Sequence, residues 1–128
     1  MTVSRVHLLL ALPLGVVFWL LGVLMIRYGT VWGFTEGPGR LMLFALLGPA
    51  TWLAIRRVRR MLRLQAAELA PMVAAITAVA VFCDVLALSF APMLYAAEPA
   101  AVLSGAILIF WGIFCALVPP ILAIPARG

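Results

Sequence analysis

One acid inside a long apolar stretch is the residue best placed to do chemistry. Asp84 interrupts a run from Leu69 to Tyr95 that carries no other charge. A carboxyl group surrounded by hydrocarbon must find a partner, because leaving it unpaired there is costly. Its helical face holds Thr77, Ala80, Ala87 and Ala91, small residues that suit contact with other helices. Two uses are open to such a group. As a proton or cation site, Asp84 would serve a small transporter or ion pathway. As an anchor, it would pair with Arg27 or Arg40, which end or begin neighbouring apolar runs at compatible depth. A lone carboxylate, with no second embedded acid or histidine, makes a thin relay, so the anchor is the reading adopted.

The second feature is basic. Arg56, Arg57, Arg59, Arg60 and Arg63 cluster within one short segment. Arg56, Arg59, Arg60 and Arg63 follow the i, i+3, i+4, i+7 spacing of one helix face. This pattern marks a topology signal and a solvated helix end; contact with anionic lipid headgroups would accompany it. Other chemistry is scarce. His7 is the sole histidine, and Cys83 and Cys115 sit far apart in apolar runs. No metal-ligand set, P-loop, nucleophile elbow or paired carboxylates is present, so neither catalytic residues nor a cofactor are expected. Small residues at Gly15 and Gly22, and at Ala101, Gly105, Gly112 and Ala116, recur with spacing that allows close helix approach.

These residues are carried on a chain built for lipid. Of 128 residues, 67% are hydrophobic and 10% charged, and the mean hydropathy is +1.25. A soluble domain carries about 25% charged residues. Crossing a bilayer core takes about 20 apolar residues in a helix, and four stretches qualify, at about 8–26, 40–56, 69–95 and 99–124. The first is longer than a secretory signal's apolar core and lacks a small-residue cleavage site, so it reads as an uncleaved span. Continuous apolar runs argue against a β-barrel, whose strands alternate. The expected fold is all-α: one transmembrane four-helix bundle over residues 1–128. Gly29 to Gly39 should form a turn-rich loop, and spans three and four a tight hairpin.

Arginine placement gives the orientation. There are nine arginines, four acids and no lysine, for a net charge of +5. With four spans, Arg5, the Arg56–Arg63 cluster and Arg127 share one side, and only Arg27 and Arg40 lie on the other. Positive charge is retained inside, so both termini are expected in the cytoplasm of a bacterial inner (plasma) membrane protein. Tyr28, Trp32 and Trp52 suit interfacial anchors. The basic residues flank spans and no polar domain accompanies them, so nucleic acid is not an expected partner. The bilayer is, with a second copy or another membrane protein as further partners.

The segment Phe82-Cys83-Asp84-Val85-Leu86-Ala87-Leu88, followed by Phe90, Pro92 and a fourth helix with Trp111, resembles a bacterial membrane family of unknown function, domain-of-unknown-function family 5367. Gly15, Phe18-Trp19 and the Arg27-Tyr28-Gly29 exit of the first span resemble it too. The resemblance covers nearly the whole chain and implies a short four-helix membrane protein, with Asp84 matching that family's third-helix acid and Arg27 its basic exit. Pro92-Met93 departs from the Pro-Asn turn of the family. The resemblance implies no reaction. The functional expectation is a non-enzymatic structural or accessory membrane component, with transport through Asp84 as the alternative.

The orientation is testable by reporter fusions. Fusions within Arg56–Arg63 should report the cytoplasm, and a periplasmic signal there would overturn the topology.

Overall fold

The computed structural model describes residues 4–34 and 36–122. It is helical: α1 (Arg5–Val31), α2 (Gly37–Leu62), α3 (Ala66–Phe90) and α4 (Pro99–Leu122), with a one-turn 3-10 helix at Pro92–Leu94. Each long helix is apolar and long enough to cross a membrane. Large apolar side chains remain exposed on the outward faces, Phe90 at 83% and Phe110 at 71%. Arg127 and the end of the fourth expected span, 123–124, lie outside the described residues.

Local chemistry sets the helix ends. Ser4 caps α1 by accepting the His7 N–H at 3.2 Å. The helix then runs past its arginine to Val31, so the expected loop at 29–39 shrinks to a short turn before Gly37. Gly37, at φ 60°, and Pro38 start α2. That helix runs unbroken through Gly48-Pro49 and, past the expected end of the second span at Arg56, continues through Arg57, Arg59 and Arg60. It closes with Arg63 in the left-handed conformation. Gln65 and Glu68 form a capping box on α3, with Glu68 accepting the Gln65 N–H at 2.8 Å.

The third span differs most from expectation. Instead of continuing to Tyr95, α3 stops at Phe90. Pro92 is the cause: it lacks an N–H and crowds the residue before it out of the helical region, leaving Ala91 at φ −145°. Tyr95 therefore belongs to a turn that folds back against the bundle, and it is 1% exposed.

Partners do not follow chain order. α1 packs chiefly on α3, and α2 on α4. α3 also touches α4, though less closely than it touches α1, so the expected α3–α4 hairpin is the looser pairing. The α2 backbone stays farther from α1 and α3, which it meets through the Ile55 and Val58 side chains near its arginine-rich end. Gly15 explains the tight pair, because a Cβ there would lie 2.5 Å from the Val79 Cβ and 2.9 Å from the Ile76 carbonyl oxygen. Gly105 of α4 is pressed the same way against Ile26 of α1, at 2.5 Å. Gly22 and Gly112, from the same small-residue stripes, face open space. Two apolar clusters result. One, around Ala11, Ile55, Met72 and Ile76, lies toward the arginine-rich end. The other, Val23, Ile26, Ala87 and Tyr95, lies toward the opposite end.

Gly15→Val should lower the melting temperature in detergent, with overpacking costing about 1–3 kcal/mol. Gly22→Ala should leave it unchanged or slightly higher. Equal tolerance at both positions would contradict the α1–α3 contact.

Candidate functional site

Asp84 lies on α3 six residues before its end, about 9 Å along the axis at 1.5 Å per residue. Its Oδ1 accepts a hydrogen bond from the Tyr95 hydroxyl at 2.5 Å. The same hydroxyl oxygen accepts the Trp19 Nε1–H at 3.0 Å. One chain of hydrogen bonds thus joins α1, α3 and the turn before α4. Pro92 and the 3-10 turn aim Tyr95 inward. Burial, reinforced by the Asp84 carboxyl, pushes the phenol up, so Tyr95 remains a donor at neutral pH.

Asp84 also lines a cavity of about 260 Å³ between the two apolar clusters. All four helices contribute to its walls. Phe18, Gly22, Leu47, Ile76, Ile109 and Ile113 are typical, and Thr51 and Thr77 supply hydroxyls. The cavity fills the gap left where α2 stands away from α1 and α3. The unfilled positions at Gly22 and Gly112 deepen it. Among the described residues, the only hydrogen bond to the Asp84 side chain is the one to Oδ1. Among the described residues, Asp84 is the only acid in the cavity wall.

The arginines expected to pair with Asp84 are engaged elsewhere. Arg27 is exposed and donates to the Leu94 carbonyl oxygen at 3.5 Å, which braces the same turn from outside. Arg40 stacks over the Phe44 ring at 5.4 Å. Arg27 lies four residues from the end of α1 and Arg40 three from the start of α2, while Asp84 lies six from the end of α3, where Tyr95 reaches it. Tyr95 was not singled out in the sequence. The usable signal was Pro92 ending the helix just ahead of an aromatic with a polar tip.

The basic cluster remains together. Arg56, Arg59, Arg60 and Arg63 line one recess with Leu64 at the end of α2, and Arg57 is exposed outside it. Arg56 lies over the Trp52 ring at 4.6 Å, and Arg59 Nε donates to the Leu64 carbonyl oxygen at 3.4 Å. Cys83 and Cys115 are free thiols. Among the described residues, no three His, Cys, Asp or Glu side chains converge as a metal site.

Comparison with protein-family models, curated proteins and solved structures finds no match to this chain.

Tyr95→Phe removes the donor to Asp84 and the acceptor for Trp19. It should lower stability in detergent by about 1–3 kcal/mol, the cost of leaving buried polar groups unpaired. Tyr28→Phe, at an exposed ring, should have no effect. Indistinguishable melting of the two variants would show that the hydrogen-bond chain holds nothing.

Proposed function

We propose that this chain is a non-enzymatic, multi-pass bacterial inner-membrane protein with both termini in the cytoplasm, and that its working part is the cavity ending at Asp84. The observation that carries this reading is an apolar chamber between four helices with one carboxyl group in its wall. Such a chamber suits a small apolar molecule bearing a single cationic group. Apolar walls favour the body of the ligand, and Asp84 offsets the cost of bringing its charge out of water. At about 260 Å³, the space is slightly below the range of about 300–1,000 Å³ usual for drug-sized ligands, so a compact amine fits best. Because α2 stands apart from α1 and α3, a ligand dissolved in lipid has a sideways route in. Uptake or passage of such a cation is the transport alternative in concrete form.

A second reading has its own observation. The chain Trp19–Tyr95–Asp84 ties three elements together, as a structural anchor should, with Tyr95 in the place expected of an arginine. A structural or accessory component needs no more than this. The resemblance to family 5367 agrees with either reading, since it carries architecture and no activity.

Saturation binding in nanodiscs separates them, with adamantylamine as the cationic probe and adamantanol as its neutral counterpart. The transport reading expects the amine to bind and the alcohol to bind more weakly. Asp84→Asn should reduce amine binding by at least about tenfold, or 1.4 kcal/mol, without affecting the alcohol. Equal binding of both probes, or an amine affinity indifferent to Asp84→Asn, would leave the anchor alone standing.

A further inference from the structure

The recess at the end of α2 has a composition that the cavity reading does not use. Its space is about 420 Å³, and its lining is Arg56, Arg59, Arg60, Arg63 and Leu64, with no acid among them. The nearest acid along the chain, Glu68, is turned away onto the Gln65 N–H at the start of α3. Among the described residues, four arginines therefore share one hollow without an acid in its lining. Each presents planar donors suited to phosphate oxygens.

The backbone adds an independent observation. Arg63 has φ 52° and ψ 45°. Its N–H bonds the Arg59 and Arg60 carbonyls, and the Leu64 N–H bonds the Arg59 carbonyl at 3.0 Å. This is the helix-ending motif whose left-handed position is normally glycine. Glycine adopts that conformation freely; an L side chain does so at a cost. Here the strained position carries the fourth arginine of the recess. A topology signal requires positive charge on this side of the membrane but no arginine at the strained position.

The surroundings choose the source of the phosphate. Trp52, beneath the Arg56 guanidinium, and the exposed Leu53 and Met61 give the same end of the helix an apolar flank. A free anion makes no use of such a flank, whereas acyl chains below a headgroup do.

We propose that this recess holds the phosphate headgroup of one anionic phospholipid of the surrounding bilayer, with the lipid tails against the Trp52 side of α2. The site rests on the chain being membrane-embedded, and a protein recovered from the soluble fraction without detergent would remove that premise separately.

The test is native mass spectrometry of the detergent-purified chain offered phosphatidylglycerol, phosphatidylcholine or inorganic phosphate. Phosphatidylglycerol should remain bound at one molecule per chain, well above phosphatidylcholine, and inorganic phosphate should not displace it. Arg59→Gln with Arg60→Gln should lower retention by about thirtyfold, two basic contacts being lost. Arg63→Gly relieves the backbone and should melt no lower than the parent protein while still retaining less lipid. That variant separates lost lipid from lost folding if the double variant unfolds. Equal retention of both lipids, displacement by inorganic phosphate, or full retention by a folded Arg63→Gly would each overturn the proposal.

Discussion

The hydrogen bond from Tyr95 to Asp84 is the interaction on which the rest of the arrangement depends. An acid placed deep in an apolar bundle imposes a demand that its own helix cannot meet, since the α3 backbone donors are already committed. The demand is met from a turn that has to fold back to reach it, and Trp19 completes the set from α1. The end of α3, the inward course of the chain after Pro92 and the position of α1 are thereby linked through one hydroxyl group. Arg27, holding the Leu94 carbonyl, supports the same turn from its exposed side.

Packing against this link is uneven. Gly15 lets α1 and α3 approach until backbone and side chain nearly meet, and Gly105 does the same for α4 against Ile26. The close glycine of α2, Gly39, is pressed against the Gly33–Phe34 turn rather than against a neighbouring long helix. α2 is held to α4 partly through the Trp111 indole, which donates to the Phe44 carbonyl oxygen at 2.9 Å. Because α2 keeps its distance from the tight pair, a chamber remains between two well-filled apolar clusters. The carboxyl group is at once a fastening for the turn and part of the wall of that chamber.

Much of this is legible in the residues themselves. Apolar runs of bilayer length announce four helices, because a helix in lipid satisfies its backbone internally and hydropathy alone reveals it. Asp84 and the arginine cluster stand out against such a background. What hydropathy does not encode is rotation and partner choice. Gly15 and Gly22 look equivalent along the chain, yet one is pressed against Val79 and the other opens onto the chamber. Tyr95 reads as the last residue of the third apolar span, because composition does not distinguish an aromatic that ends a helix from one that folds back under it. The partner of Asp84 is unreadable for a related reason: similar depth along neighbouring helices does not reveal that a donor from the connecting turn, Tyr95, meets the carboxyl group.

The pairing of α1 with α3 also bears on how the protein is made. Segments leave the ribosome in chain order, so α1 and α2 emerge together although their backbones approach little in the finished bundle. The surface of α1 that closes around Val79 and Ile76 must wait until the third segment arrives. Asp84 enters before the hydroxyl that will receive it, and only release of the following turn completes the set. The first two helices thus do not constitute a folded half. Assembly is a late, collective event rather than the addition of one finished hairpin to another.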